Sequence, residues 1–252
     1  MKKTIFLLAG LFLSIGIMAQ NLDEILEAHF EVVGQDKIEQ LESMVLKGHS
    51  MQMGTETPFE LIIKRPDKMR IEIDIQGQKI IQAYDGEKGW VIQPFGGSKD
   101  PIEVTGAQLS GMKTMADMDG PLYNWEDKGY EAKLIGEEDM EGSPVYKIEV
   151  VMDDDMTTYY YIDKENHVIL KDEISVVMQG QEVNQENYYS NYKPYKGVIM
   201  SYEQETKLNG QVFRQSVIDS VEFDRKVDDS IFEMPEKETV EEKKNGYGGF
   251  SG

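Results

Sequence analysis

The chain has 252 residues, no cysteine, 26 lysine and arginine residues and 47 aspartate and glutamate residues, which gives a formal net charge of −21 at pH 7. The lack of cysteine excludes disulfides, thiolate metal sites and cysteine nucleophiles. The acidic balance argues against a nucleic-acid-binding protein and against permanent residence on an anionic membrane.

The first 19 residues predict a secretory signal peptide. Lys2 and Lys3 precede an apolar run over residues 5–17, and Ala19 supplies the small residue expected at a cleavage site. The run is shorter than the roughly 20 residues that a membrane-spanning helix needs, so a transmembrane anchor is the weaker interpretation. We therefore expect cleavage near Ala19 and export of a soluble chain without stable membrane insertion.

Two short helices are expected next. Apolar residues recur at helical spacing over residues 22–33, and Gly34 provides a C-terminal stop. Asp36 is placed to cap a second short helix that carries Ile38 and Leu41.

The hydrophobic period then changes to two, which is typical of strands with one dry and one wet face. The clearest case is residues 69–75, where apolar side chains alternate with charged ones. Residues 146–152 repeat the pattern, and residues 170–178 do so with one interruption, at Asp172. These segments predict antiparallel strands that share a dry face.

Turn signals arrive at hairpin intervals along this part of the chain. Asn209-Gly210 is the strongest, because both residues tolerate the positive φ of a tight hairpin turn; Gln76-Gly77, residues 153–155 and Gln179-Gly180 are further candidates. We expect a meander of about eight to twelve strands between residues 44 and 223.

Residues 104–118 interrupt the meander and predict a marginal helix, since Gly106 and Gly111 each weaken it by up to about 1 kcal/mol. Apolar strand faces must be covered, so a strongly curved sheet should wrap around this helix and the N-terminal helices. The periodicity leaves open whether the interior is hollow or filled. Residues 20–235 should form one domain, followed by a disordered, charged and glycine-rich tail over residues 236–252.

Three motifs occur in a characteristic order: KRPDKMR at residues 64–70, YDGEKGW at residues 84–90 and VDDSIFEMP at residues 227–235. Their order and spacing resemble the periplasmic lipoprotein carrier family of Gram-negative bacteria, the outer-membrane lipoprotein-sorting proteins. Residues 159–163 and 192–198 resemble the lineage of that family that is common in Bacteroidetes.

The resemblance implies a mainly β fold, an unclosed antiparallel β-barrel with helices across its mouth as a lid. It implies cargo in the form of lipoprotein acyl chains, machinery at the inner membrane that releases the cargo, and an acceptor at the outer membrane. In the family, the arginine of the Arg-Pro motif holds the lid closed through hydrogen bonds, and Arg65 matches that position. From the residues alone, a surface charge beside a strand-ending proline is the better interpretation of Arg65, and the resemblance makes the two interpretations about equal. Residues 98–129 depart from the carriers' lid region.

The expected cavity wall comes from the alternating strands and the inserted helix. Its predicted residues are Met69, Ile71, Ile73, Trp90, Tyr146, Ile148 and Met152, with Leu109, Met112 and Met115 closing over them. Trp90 is expected to face inward, where core packing and a cavity wall use the same residue type. Methionine suits a wall that adapts to ligands of variable shape, and it is also ordinary core filler.

No catalytic or metal-binding motif appears. The chain has no Gly-x-Ser-x-Gly or His-Glu-x-x-His sequence, and the aspartates at 153–155 lack the glycine and distal glutamate of a calcium loop. We therefore expect no enzyme, metal or cofactor. The predicted protein is a monomeric periplasmic carrier of lipoproteins or lipid that transfers them to the outer membrane. The alternatives are a lipid-sensing regulatory module on the same fold and a structural envelope protein with a filled core.

Overall fold

A computed structural model describes residues 21–96, 100–152, 156–178 and 181–236. Among these residues, 13 strands form a single sheet in which each neighbouring pair is antiparallel. The predicted signal peptide, residues 237–252 of the predicted tail, and the predicted turns at 153–155 and 179–180 lie outside the described residues.

The first six strands run outward from the centre of the sheet: β1 (Ser43–Gln52), β2 (Thr55–Lys64), β3 (Lys68–Ile75), β4 (Gln78–Tyr84), β5 (Gly89–Ile92) and β6 (Ile102–Val104). The other seven return from the opposite edge: β7 (Glu131–Met140), β8 (Ser143–Val151), β9 (Thr157–Asp163), β10 (Ile169–Met178), β11 (Gln181–Tyr195), β12 (Val198–Leu208) and β13 (Gln211–Phe223). Three α-helices accompany them: α1 (Leu22–Val33), α2 (Gln35–Ile38) and α3 (Gly106–Ala116).

The strand order is β6-β5-β4-β3-β2-β1-β13-β12-β11-β10-β9-β8-β7. The segment that contains α3 carries the chain from one edge to the other, and the second meander returns until β13 pairs with β1. In the described part of the chain β6 and β7 are the two edges, so the sheet is not closed. This confirms the predicted unclosed antiparallel barrel, with one strand more than the expected range.

Tight turns set the strand register. Gln76 and Gly77, with φ of 55° and 81°, join β3 to β4, and Asn209 and Gly210, with φ of 49° and 76°, join β12 to β13. Two successive residues of positive φ match the twist of the flanking strands. Both hairpins confirm the sequence prediction.

Gly34 ends α1 and begins α2. Its φ of 77° is left-handed, and a Cβ there would lie only 2.1 Å from the carbonyl oxygen of Gly197, so this close approach requires glycine. Because α2 starts immediately after Gly34, Asp36 lies inside the helix and makes no capping hydrogen bond. The predicted cap at Asp36 is therefore wrong.

All three helices lie on one face of the sheet, which we call the inner face. On one side, α3 contributes Met112 and Ala116 to a solid cluster with Met69 and Tyr84. On the other side, α1 packs Ile25 and Leu26 against residues of β8 and β9, including Ile148. The helices thus fill two parts of the inner face.

The outer face of β1–β5 is covered by residues 225–232, which we call the C-terminal segment. Phe232 in this segment is fully buried against Val45 and Ile62. Strand register places Trp90 opposite Ala83, on the outer face, whereas its neighbour Gly89 is covered by α3 on the inner face. The prediction that Trp90 faces inward is wrong, because the C-terminal segment gives the outer face its own apolar contacts.

Candidate functional site

A cavity of about 1000 Å³ lies between the inner face and the helices. Its wall includes residues of β1–β4, residues of β9–β13, the facing sides of α1 and α2, and the end of α3 with the loop that follows. Ile80 on β4 and Tyr160 on β9 line the same space although they lie on opposite sides of β1 in the sheet. The sheet therefore curves around a hollow of the size that takes a small-molecule ligand.

One side of the cavity is apolar and is built by β2, β3 and β4. Phe59, Ile73 and Ile80 lie directly across from one another on these three strands and all line the cavity. Gly48 on β1 faces Phe59, and a Cβ at Gly48 would lie 2.8 Å from the phenyl ring. Because Gly48 has no side chain, the phenyl ring of Phe59 can lie over β1 at this position.

The end of α3 and the following loop close the cavity next to this apolar side. Met115, which is 43% exposed, and Met118 both line it, and Asp119 lies at its edge. We call α2 and residues 117–121 the lid, because they lie over the cavity and are held to the sheet by one shared side chain.

That side chain is Arg65, in the turn between β2 and β3. Its Nε donates to the carbonyl oxygen of Leu41 at 2.8 Å, and its Nη2 donates to that of Ile38 at 2.9 Å. Its Nη1 and Nη2 also donate to Oδ2 and Oδ1 of Asp119, at 2.7 and 2.6 Å. The hydrogen bond to Asp119 raises the pKa of Arg65. One guanidinium thus joins both parts of the lid to the sheet.

The opposite side of the cavity is polar. A row of residues crosses five adjacent strands in register: Tyr160, Asp172, Asn187, Thr206 and Arg214. Asn187 donates to Oδ2 of Asp172 at 2.8 Å, and Thr206 donates to Oδ1 of Asn187 at 2.9 Å. Three of the five, Tyr160, Asp172 and Arg214, line the cavity.

Burial governs the electrostatics of this side. It raises the pKa of Asp172, whose carboxylate still accepts a hydrogen bond from the Tyr189 hydroxyl at 2.5 Å. Burial likewise raises the pKa of Tyr160 and that of Tyr189, so both phenols stay protonated. It lowers the pKa of Arg214, and Nε of that residue is buried with no hydrogen-bond partner.

Nine of the ten predicted wall residues divide into three groups, and the tenth is Trp90. Ile71, Ile73 and Met115 line the cavity. Leu109 and Met112 of α3 pack with Met69 of β3 in a solid cluster. Tyr146, Ile148 and Met152 pack against α1. Trp90 lies on the outer face, as described above. The structure thus brings together three of these residues around the hollow, and the others form solid packing or lie outside it.

Sequence reasoning missed the polar side of the cavity. The available signal was Asp172, which interrupts an apolar alternation at a position expected to be dry. A register shift between Ile169 and Lys171 turns both Ile169 and Asp172 toward the cavity. Arg214 lies in a strand without clean alternation, so no local pattern marks it.

Within the described ranges, no group of three or more His, Cys, Asp or Glu residues is arranged to hold a metal ion. In the same part of the chain, no helix combines the length and the apolar character needed to cross a membrane.

Solved structures share this fold. A DUF1329-family protein from Desulfovibrio piger has 14% sequence identity and a TM-score of 0.57, over 83% of this chain and 97% of that chain. A putative outer-membrane lipoprotein-sorting protein domain from Vibrio parahaemolyticus has 13% identity and a TM-score of 0.56, over 84% and 97%. A LolA-superfamily protein from Nitrosomonas europaea has 16% identity and a TM-score of 0.59, over 85% and 98%.

These similarities establish a fold rather than a family membership. No family model matches the chain, and no curated protein matches it. The chain has the fold of LolA-superfamily and lipoprotein-sorting proteins, as its motifs predicted. The Bacteroidetes lineage stays a prediction.

Proposed function

We propose that the protein is a non-catalytic carrier that holds the acyl chains of lipoproteins, or of free lipid, in its cavity and passes them to an acceptor at the outer membrane. The observation that carries the proposal is the hollow of about 1000 Å³ with one side lined by Phe59, Ile71, Ile73 and Ile80. A structural neighbour that is named for outer-membrane lipoprotein sorting supports this class of cargo.

Sequestration alone supplies the affinity that such a carrier needs. Each buried CH₂ group contributes roughly 0.8 kcal/mol, so a chain of about twelve carbons contributes on the order of 10 kcal/mol before the costs of association. No covalent chemistry and no cofactor are required. Specific contacts then serve to orient or release the cargo rather than to hold it.

Release requires the lid to move, and the bonds of Arg65 identify the group that resists this movement. Breaking them frees Ile38, Leu41 and Asp119 from one shared donor. We therefore propose Arg65 as the lid latch. Opening would expose the apolar side of the cavity to an acceptor or a membrane surface.

Export belongs to the same proposal. The predicted signal peptide supports a periplasmic location of the mature chain, where a carrier between two membranes would work. Intact-mass analysis of the exported protein should give a chain that begins at Gln20. A chain that retains Met1 would contradict export by this route.

A pair of adjacent isoleucines offers a matched test of cargo binding. Ile80 lines the cavity, whereas Ile81, opposite Glu72, has its side chain on the outer face. We expect Ile80→Trp to weaken binding of the neutral probe N-phenyl-1-naphthylamine by about tenfold, because the larger ring occupies the hollow. Ile81→Trp should leave the affinity within about twofold. Equal effects of the two substitutions, or no binding by the wild type, would contradict the proposal.

Transfer separates a carrier from a lipid-sensing module. A carrier loaded with a fluorescent acyl lipid should deliver it to acceptor vesicles faster than the lipid leaves donor vesicles unaided. A sensing module would bind the lipid without accelerating its delivery. Unchanged delivery rates at protein concentrations that saturate binding would contradict the carrier function.

A further inference from the structure

Arg214 on β13 is a cation of the cavity wall that has no anionic partner. Its Nε is buried without an acceptor, and no ion pair among the described residues includes it. Each of the other arginines of the chain pairs with a carboxylate: Arg65 with Asp119, Arg70 with Glu72 and Arg225 with Glu60.

This isolation is physically costly. A guanidinium stays protonated at neutral pH and presents five N–H donors. Taking such a group out of water is unfavourable unless a counter-charge or acceptors replace the lost hydration. Burial lowers the pKa of Arg214 for the same reason. The guanidinium of Arg214 would therefore stabilise an anion that enters the cavity from outside the chain.

The carboxylates of the cavity wall do not meet this need. Asp172 accepts hydrogen bonds from Tyr189 and Asn187, and Asp119 is held by Arg65. Glu203 accepts hydrogen bonds from Asn191 and Ser190. Thr206, which pairs with Arg214 across the sheet, and Ser216, two residues further along β13, carry neutral hydroxyls. The hydroxyls of Ser216 and Ser50 share a hydrogen bond of 2.8 Å.

The position of Arg214 gives the cavity a polar end. Gln215, the next residue, pairs with Met51 near the end of β1, so Arg214 lies close to the β1–β2 turn. Met53 in that turn lines the cavity and is 95% exposed, which marks an opening there. The lid and the apolar contacts of Leu46 lie toward the other end of β1. A ligand with a polar head and an apolar tail matches this division.

We infer that Arg214 binds an oxyanion, a phosphate or a carboxylate, at the polar end of an acyl lipid whose chain lies along the apolar side of the cavity. The planar guanidinium matches two oxygens of such a group with two parallel N–H donors. This inference rests on the proposed carrier function and narrows its cargo to lipids with a negatively charged polar end.

Two lauroyl lipids that differ only in one phosphate group test the inference. The probes are 1-lauroyl lysophosphatidic acid and 1-monolauroylglycerol, each titrated below its critical micelle concentration to displace N-phenyl-1-naphthylamine from the full mature chain. We expect the wild type to bind the phosphate-bearing lipid at least about tenfold more tightly, as charge-assisted hydrogen bonds allow.

Variants assign that preference to one side chain. Arg214→Met should abolish the preference for the phosphate-bearing lipid while leaving the affinity for monolauroylglycerol within about twofold. Arg214→Lys should keep part of the preference, because lysine retains the positive charge but lacks the paired N–H donors of the guanidinium. Arg225→Met removes the same charge from the outer face, where its partner is Glu60, and should keep the full preference. If Arg214→Met fails to fold, Arg214→Gln takes its place in the comparison.

The possible outcomes distinguish failure of the inference about Arg214 from failure of the proposed carrier function. Equal binding of the two lipids by the wild type, or a preference that survives in Arg214→Met, would overturn the inference and leave the carrier intact. Inorganic phosphate that competes as strongly as the phosphate-bearing lipid would indicate a site for a free anion and would also overturn it. Displacement by neither lipid would contradict the carrier function itself.

Discussion

Trp90 donates its indole N–H to the carbonyl oxygen of Phe232 at 2.7 Å, on the outer face of the sheet. The Phe232 ring is fully buried against Val45 and Ile62. The C-terminal segment therefore supports, from outside, the same strands that form the apolar side of the cavity inside. The stability of the protein and the integrity of its hollow depend on a contact between residues far apart in the chain.

Truncation of this contact should destabilise the fold. We expect Phe232→Ala to lower the free energy of unfolding by about 3–5 kcal/mol, the usual cost of removing a buried phenyl ring. Urea denaturation followed by circular dichroism measures the change. The adjacent exposed residue provides the control, since Glu233→Ala should change stability by less than about 0.5 kcal/mol. Similar losses in the two variants would show that the segment does not anchor the sheet.

The lid should loosen when its shared donor is removed. In Arg65→Leu, the carbonyl oxygens of Ile38 and Leu41 and the carboxylate of Asp119 lose their donor, so we expect acyl-lipid release to accelerate by about tenfold. Stopped-flow transfer to excess vesicles measures the rate.

A neighbouring cation controls for the loss of charge. Lys68 belongs to the same turn region but pairs with Asp229 outside the cavity, so Lys68→Leu should release cargo at the wild-type rate. Asp119→Asn should accelerate release in the same direction as Arg65→Leu. Release kinetics that are unaltered in Arg65→Leu would remove its assignment as the latch.

His29 makes stability depend on pH. Burial lowers the pKa of His29 below its ordinary value of 6.5, and Nδ1 of the ring lies 2.7 Å from the carbonyl oxygen of His167. The unfolded chain therefore takes up a proton at a higher pH than the folded chain does. The stability that the buried, neutral His29 contributes to the folded state is present above pH 6.5 and is lost as the pH falls below that value.

Comparison with a substituted protein isolates this effect from other titrating groups. Between pH 7.5 and 5.5, the free energy of unfolding of the wild type should fall relative to that of His29→Gln in urea titrations. His49 provides a contrast of opposite sign, because its hydrogen bond to Asp219 raises its pKa and favours the folded state at lower pH. Parallel pH profiles for the wild type and His29→Gln would contradict this assignment.

Local sequence was sufficient for the strands and their turns. Alternation over residues 69–75 predicts β3, and Gln76-Gly77 predicts the turn that joins it to β4, because both depend on residues close together in the chain. The face on which Trp90 lies was not predictable in this way. Both faces of β5 are buried, and a segment more than a hundred residues later covers the outer one.

The cavity depended on arrangements that periodicity does not contain. Ile73 and Ile148 occupy equivalent dry positions in alternating strands, yet Ile73 lines the hollow and Ile148 is packed against α1. The difference is set by where the helices lie. Predicting the polar side would have required the register of five strands. Of the residues in that row, only Asp172 interrupts a recognisable sequence pattern.

Native mass spectrometry of the protein, purified without detergent from the cells that produce it, shows whether the cavity holds an acyl chain. We expect a mass above that of the mature chain, with release of an acylated molecule on activation. Ile80→Trp should lower the occupied fraction, whereas Ile81→Trp should preserve it. A wild-type protein that carries no acylated molecule after such a purification would contradict the carrier function.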